Sequence, residues 1–191
     1  MVRNRTVWVT AALMATTLGA ATVPAMAAPA PATQAATACP VGWGSVEKTN
    51  SSSTAGHYVT NARTGRHDCY DRFVIDVPGA PADQLGYSVR YVDQLIQDPT
   101  GHRIPVSGGA ILEVIVRAPA YDIDSGTPTY PGQAGKPLPG VNLTGYRTFR
   151  DAKFAGTFEG QSQFGLGLRA RLPFRVLQQA GHLVVDVAHT W

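Results

Sequence analysis

Hydrophobic and polar residues alternate along short stretches of this chain, most clearly in the segment 69–77, which begins at a cysteine. One face of an extended strand there carries Phe73, Ile75 and Val77. The opposite face carries Tyr70, Arg72, Val74 and Asp76. A period of two is typical of a half-buried β-strand. The segment 183–187 repeats the order of 73–77, three apolar residues followed by aspartate and valine, which predicts two strands that are partners or symmetry mates in one sheet system.

Short apolar runs separated by Gly, Pro, Asn and Asp continue along the chain, without a 3.6-residue period over ten or more residues. This spacing predicts an all-β fold, either a sandwich or a barrel, and we favour a single-domain β-sandwich of short, mainly antiparallel strands. The candidate strands are 43–48, 57–61, 70–77, 87–95, 110–117, 143–149, 156–158, 163–168, 174–177 and 183–188. In 110–117 the outward side chains include Glu113 and Arg117, which predicts that one face of that strand lies in water.

A long segment, 118–141, contains five prolines and has no strand pattern. A loop of this length inside a compact domain is either functional or mobile. Its side chains show no convergent chemistry, so the sequence leaves its role open.

The first 27 residues read as a secretory signal peptide. Arg3 and Arg5 precede an apolar run, and Ala25 and Ala27 occupy the positions that signal peptidase reads. A membrane anchor is the alternative, but threonines interrupt the run and it falls short of a spanning helix. Residues 28–38 are mostly Ala, Pro and Thr and predict a flexible linker. We therefore expect a domain at 39–191 that is secreted, is associated with the cell envelope and has no membrane span after cleavage.

The chain carries 16 basic and 13 acidic residues, and removing Arg3 and Arg5 reduces the net charge from +3 to +1. Such a charge gives no electrostatic reason to expect nucleic acid as a partner. The two cysteines, Cys39 and Cys69, predict a disulfide in an oxidising compartment, with two free thiols as the alternative. The residues before Cys39 do not resemble a lipidation signal, and the pair lacks the C-x-x-C spacing of redox sites.

Several short motifs suggest chemistry, but none is complete. Residues 165–170 match the dinucleotide-binding spelling G-x-G-x-x-A, yet Pro173 would stop the helix that such a site needs. The segment 122–126 resembles the start of a calcium loop but lacks the later glycine and glutamate. Asp76 and Asp186 could form an acid/base pair, although an aspartate at this place in an apolar strand is more often a strand-end carboxylate bonded to a neighbouring loop or to an arginine. We therefore predict no catalytic residues, no metal, no cofactor and no enzymatic activity.

Arginine and tyrosine side chains on the predicted outer faces remain as candidate ligand contacts. Such side chains bind carboxylates, sugars or phosphates through bidentate hydrogen bonds and stacking, although they are also ordinary on soluble sheets. The candidate ligand-binding residues are Tyr70, Arg72, Arg90 and Arg117.

The order of motifs resembles the AMIN-like domain of secreted proteins and lipoproteins of actinobacteria. The motifs that carry the resemblance are 39–44, 68–77, 86–92, 158–160, 164–168, 173–176 and 183–189. The resemblance implies a β-sandwich and a non-catalytic binding module directed to the envelope, because AMIN domains bring cell-wall amidases to peptidoglycan. No catalytic domain is attached in this chain. The expected ligand is therefore peptidoglycan or another wall polymer; a secreted or membrane protein partner is the alternative, and a small hydrolase with an unrecognised site is a third possibility.

Overall fold

The computed structural model describes residues 39, 42–52, 54 and 56–191. The predicted signal peptide, 1–27, and linker, 28–38, lie outside the described residues. Within the described part, the chain forms eleven strands and no helix, and so no helix that could cross a membrane. The strands are β1 (Lys48–Asn50), β2 (Asn61–Arg66), β3 (Tyr70–Asp76), β4 (Tyr87–Val92), β5 (Leu95–Ile96), β6 (Arg103–Ile104), β7 (Ala110–Val116), β8 (Phe149–Phe158), β9 (Gln161–Leu168), β10 (Phe174–Gln179) and β11 (His182–Ala188).

The strands form two main antiparallel sheets. One sheet has five strands in the order β1-β4-β7-β9-β8, and the other has four in the order β10-β11-β3-β2. The predicted all-β sandwich is confirmed. Its core contains the inward side chains of both sheets, and the rings of Phe73 and Phe164 meet edge-on at 5.6 Å between centroids. Each such buried side chain contributes about 1.5–3 kcal/mol through removal of apolar surface from water.

The repeated segments 73–77 and 183–187 are indeed partners. They lie in β3 and β11, which pair antiparallel at the centre of the four-stranded sheet. Because the strands run in opposite directions, the two aspartates do not meet: Asp186 lies opposite Arg72, and Asp76 lies opposite His182. The predicted inward residues of β3 are fully buried.

A third layer covers part of the five-stranded sheet. The hairpin β5–β6 packs its Leu95 and Ile104 with Ala155 of β8, and Leu95 comes so close to Gly165 that a Cβ there would overlap its side chain. The glycines of the motif at 165–170 therefore admit a covering segment, as strand glycines often do. The expectation that one face of β7 lies in water is wrong in part, because Glu113 is only 5% exposed beneath this layer.

Several predicted strand boundaries are wrong. Most of the strand expected at 143–149 is a turn region, because β8 begins only at Phe149; it then extends to residue 158 with two register shifts. The strand expected at 57–61 begins at Asn61, and the one expected at 43–48 begins at Lys48. Polar edge strands and bulged strands lack the regular alternation on which the predictions depended.

The proline-rich segment 118–141 packs against the sandwich. Tyr130 is buried against Phe154, with ring centroids 5.1 Å apart, and burial raises the pKa of Tyr130 to about 12. Backbone groups tie the segment down as well: Val59 N donates to Pro119 O at 2.8 Å. The threonine hydroxyl of Thr129 donates to Val59 O at 2.7 Å. These contacts make the segment part of the folded domain.

The start and end of the domain are tied to β3. The predicted disulfide between Cys39 and Cys69 is confirmed, with Cα atoms 5.2 Å apart. One residue into β3, the buried carboxylate of Asp71 accepts hydrogen bonds from the backbone N–H groups of Thr148 and Phe149, at 2.6 and 3.1 Å. It also contacts Nε2 of His189 at 3.1 Å. Asp71 thus joins β3 to the start of β8 and to the C-terminal segment.

Candidate binding face on the four-stranded sheet

Three neighbouring strands place charged side chains in one row on the outer side of the four-stranded sheet. The register pairs Arg175 of β10 with Asp186 of β11, and Asp186 with Arg72 of β3. Each of these residues alternates with a core residue, so all three point away from the sandwich. We call this row and the aromatic side chains beside it the arginine–aromatic face. Its members are Trp43, His67, Tyr70, Arg72, Arg175 and Asp186.

The carboxylate of Asp186 fixes both arginines. Arg72 donates from Nε at 2.7 Å and from Nη2 at 2.9 Å, one bond to each carboxylate oxygen, and Arg175 donates from Nε at 2.8 Å. Asp186 is fully buried, whereas the side chains of Arg72 and Arg175 are 25% and 34% exposed. The hydrogen bonds to Asp186 hold the pKa of Arg72 above its usual range. One carboxylate balances one of two positive charges, which leaves this row with a net charge of +1.

Aromatic rings surround the two guanidinium groups. The guanidinium carbon of Arg175 lies 4.4 Å from the ring centroid of Trp43 and 5.4 Å from that of Tyr70. Arg72 lies 5.3 Å from the centroid of Tyr70, and His67 stacks on the same ring at 4.4 Å. These distances fall within the range of cation–π attraction. The rings keep the guanidinium planes in place and add flat apolar surface to the face.

Local chain geometry explains how Trp43 reaches the face. The disulfide links Cys39 to the residue immediately before Tyr70. Gly44 O accepts a hydrogen bond from Phe174 N at 2.9 Å, so the segment 42–44 lies along the start of β10. The ring of Trp43 then meets Tyr70 edge-on, with centroids 5.7 Å apart.

Part of the donor capacity of this face points outward. Among the described residues, Arg175 bonds through Nε alone, which leaves its two terminal nitrogens for another acceptor. Terminal guanidinium nitrogens bind carboxylates with charge-assisted hydrogen bonds, and aromatic rings stack on sugar rings or planar groups. The arrangement therefore suits a ligand that combines an anionic group with a flat or ring-shaped part.

An open cavity of about 560 Å³ adjoins the face and shares His67 with it. Arg66 and Arg147 also line it, and Arg147 donates from Nη1 to Asp68 O at 3.3 Å. On the same side, the hydroxyl of Tyr146 donates to Thr64 Oγ1 at 2.8 Å. Asp68 and Asp71 line the cavity as well, so its charges are mixed, and it lies at the β2 edge of the sandwich.

The structure brings together two of the four predicted ligand-binding residues. Tyr70 and Arg72 belong to the arginine–aromatic face. Arg90 lies on β4, on the outer side of the opposite sheet, where it donates from Nε to Glu113 at 2.8 Å, a bond that raises its pKa. Arg117 follows β7 and packs its stem beside Gly86. Arg90 and Arg117 do not share a surface with the other two.

Sequence reasoning missed Arg175, Trp43 and the central role of Asp186. A signal was present: the repeat 183–187 suggested that β11 pairs with β3, which would have placed Asp186 among the outward residues of its neighbours. The position of Trp43 depends on the disulfide and on the path of an irregular segment. No local pattern encodes that path.

Of the partners expected for Asp76 and Asp186, a neighbouring loop or an arginine, the structure shows an arginine for both, although only Asp76 lies at the end of its strand. Asp76 accepts hydrogen bonds from Arg63, at 3.1 and 3.2 Å, and from Asn61 at 3.0 Å, and it contacts His182 Nδ1 at 2.8 Å. The two aspartates thus have separate partners and do not form an acid/base pair.

The acidic segment 122–126 is a turn that uses its own oxygen atoms. Asp122 Oδ1 accepts hydrogen bonds from Ser125 N, Ser125 Oγ and Asp124 N, at 2.8, 2.9 and 3.0 Å, and these bonds lower the pKa of Asp122. Within the described part of the chain, no group of three or more His, Cys, Asp or Glu side chains could hold a metal ion.

Comparison with known proteins gives one match. The model of the family described as AMIN-like domain matches residues 57–189. No curated protein and no solved structure matches the chain. The matched range contains every member of the arginine–aromatic face except Trp43.

Proposed function

The chain belongs to the AMIN-like domain family, and on that basis we propose that it is a non-catalytic module of the cell envelope that binds peptidoglycan. The family supports a cell-wall-related binding role. A disulfide is typical of exported proteins, which supports an extracellular location. The predicted signal peptide leads to the same location.

The observation that carries the proposal is the pair of arginines that Asp186 holds beside the rings of Trp43 and Tyr70. Peptidoglycan combines sugar rings with peptide carboxylates. The outward nitrogens of Arg175 suit a carboxylate, and the rings of Trp43 and Tyr70 suit a sugar face or a peptide plane. A net positive row also attracts an anionic polymer more than a neutral one.

Both arginines bond to a carboxylate that is fully buried, so the face is rigid before a ligand arrives. The buried carboxylate is itself occupied by three N–H donors, which makes it a poor general base. This arrangement favours recognition over catalysis and supports the proposal of a binding module.

The test is co-sedimentation of the protein, without residues 1–27, with insoluble peptidoglycan stripped of attached polymers. Arg175→Gln removes the outward donors but leaves Asp186 paired with Arg72, and we expect it to weaken binding about tenfold or more, as loss of a charge-assisted hydrogen bond does. Arg90→Gln is the matched control, because Arg90 also bonds to a buried carboxylate but lies on the opposite sheet. We expect wild-type binding from the control.

Equal effects of the two variants would remove the arginine–aromatic face from consideration. If the wild-type protein did not bind stripped wall at all, the proposal would fail. A protein partner from the envelope, the alternative raised by the sequence, would then be the next hypothesis to test.

A further inference from the structure

A second cavity lies on the other side of the sandwich, beside the turn that joins β8 to β9. Its volume is about 260 Å³, and Asp98, Phe158, Glu159 and Gln163 are among its lining residues. Gln163 alternates with the core residue Phe164 and therefore points to the outer side of the five-stranded sheet. The arginine–aromatic face lies on the outer side of the opposite sheet, so the two sites are separate.

Gln163 presents an acceptor that has no partner within the described residues. Its Nε2 donates to Ile96 O and to Glu113 Oε1, both at 2.8 Å. Because both of those partners are acceptors, a flip that exchanged the amide oxygen and nitrogen would break both hydrogen bonds. Oε1 is therefore the atom without a hydrogen bond. Gln163 is only 7% exposed. Oε1 itself is buried, and a buried acceptor left unpaired is costly, so a donor that enters the cavity beside Gln163 would gain by pairing with it.

The charges around the cavity are negative. Asp98 and Glu159 are exposed at its rim, while the nearby carboxylate of Glu113 is balanced by Arg90 at 2.8 Å. The negative charge of Asp98 also contributes to the raised pKa of Arg90. Glu159 has no ion-pair partner among the described residues, although it also lines a neighbouring cavity that contains Arg117.

Phe158 completes the chemistry of the cavity. Phe158 is 40% exposed, so its ring is accessible to a ligand in the cavity. The face of an aromatic ring attracts an organic cation. The cavity therefore offers two carboxylates, one buried amide oxygen and one ring, and all of them favour a positively charged hydrogen-bond donor.

We propose that this cavity binds the primary ammonium group of a small molecule. An ammonium group has three donors and one charge, so it can pair with Asp98 or Glu159, reach Gln163 Oε1 and contact the ring of Phe158. A metal ion fits less well, because no three metal-ligating side chains converge anywhere in the described residues. This proposal does not depend on the proposed binding of peptidoglycan.

The experiment is an NMR titration of the ¹⁵N-labelled protein with butylammonium chloride, compared with 1-butanol at the same ionic strength. We expect butylammonium to give saturable shifts at the Gln163 side-chain amide and at the backbone N–H of Gly160, and 1-butanol to give none. Glu159→Gln should weaken this binding about tenfold, as expected for loss of a charged partner. Asp98→Asn is a second variant that tests the other carboxylate.

The matched control is Asp68→Asn, which removes one negative charge on the opposite side of the sandwich and should leave the titration unchanged. Equal shifts with 1-butanol, no saturation with butylammonium, or wild-type binding by both cavity variants would overturn the proposal. So would saturable shifts at these groups with calcium chloride and not with butylammonium. Binding of stripped peptidoglycan by Glu159→Gln should stay at the wild-type level, which separates this site from the arginine–aromatic face.

Discussion

At Gly167 of β9, the surrounding backbone leaves no room for a side chain. A Cβ at this residue would overlap the carbonyl oxygen of Ser107 and lie 2.9 Å from Asp151 Cβ. Ser107 belongs to the backbone that crosses the five-stranded sheet after β6, so the overlap cannot be relieved by rotating a side chain. The substitution Gly167→Ala must push that backbone away from the sheet.

The cost of Gly167→Ala has two parts. Overpacking in a closed region typically costs about 1–3 kcal/mol. The displaced backbone is also held by Ser107 N, which donates to Asp151 Oδ2 at 3.0 Å, and by Gly109 N, which donates to Leu168 O at 2.7 Å. Weakening one such bond costs about 1 kcal/mol. We expect a total loss of about 3 kcal/mol in the free energy of unfolding, which lowers Tm by about 6–12 °C in a domain of this size.

The assay is urea unfolding followed by tryptophan fluorescence, together with a thermal melt. Gly65→Ala is the matched control, because Gly65 is also a strand glycine but a Cβ there meets only His67 Nε2, at an ordinary 3.7 Å. The control should stay within about 0.5 kcal/mol of the wild type, as surface substitutions usually do. If Gly167→Ala were as stable as the control, close approach of the covering segment could not be the reason for the glycine.

Two further predictions concern the disulfide between Cys39 and Cys69 and the carboxylate of Asp76. Replacing Cys39 and Cys69 together by serine should lower the free energy of unfolding by about 3.5 kcal/mol, the loop-entropy value for a separation of 30 residues, and a loss below about 1 kcal/mol in urea titrations would contradict it. For Asp76, burial alone would raise the pKa, but hydrogen bonds, first from Arg63 and then from His182, outweigh burial and lower the pKa below the usual 3.8. The stability that this carboxylate contributes is therefore present above its unfolded pKa and is lost as the pH falls through its folded pKa. Arg63→Gln should shrink the loss of stability on acidification from pH 5 to pH 3, and identical pH profiles would refute this.

The sequence was sufficient to predict the centre of the four-stranded sheet. Phe73, Ile75 and Val77 follow a strict alternation because β3 has strands on both sides and a core beneath it. The partnership of β3 with β11 was visible as a repeat. The disulfide followed from the cysteine count and the predicted compartment, and the structure confirms it.

The errors have physical causes. β2 is an edge strand whose only fully inward apolar residue is Ala62, so its position could not be located by hydrophobicity. β8 contains two register shifts, which interrupt the period of two. The hairpin β5–β6 covers Glu113 through contacts that are distant in sequence. A charged residue in an alternating strand predicts exposure, and only the tertiary fold shows that another segment lies above it.

The candidate site was predicted in part for a similar reason. Alternation correctly placed Arg72 and Arg90 on outer faces, but it could not tell that the faces belong to opposite sheets. Strand order decides which outward residues become neighbours. Arg175 joins Arg72 because β11 lies between their strands and supplies Asp186 to both.

The carboxylate of Asp186 has a consequence for the thermodynamics of recognition. Immobilising a long side chain on binding costs about 0.5–1.5 kcal/mol in conformational entropy. Asp186 already holds Arg72 and Arg175, so these side chains lose their conformational entropy when the chain folds and not when a ligand binds. The affinity of this face for a ligand then depends on the stability of β11 within the four-stranded sheet. Substitutions in the core beneath β11 would therefore lower the affinity for a ligand without altering any atom that the ligand contacts.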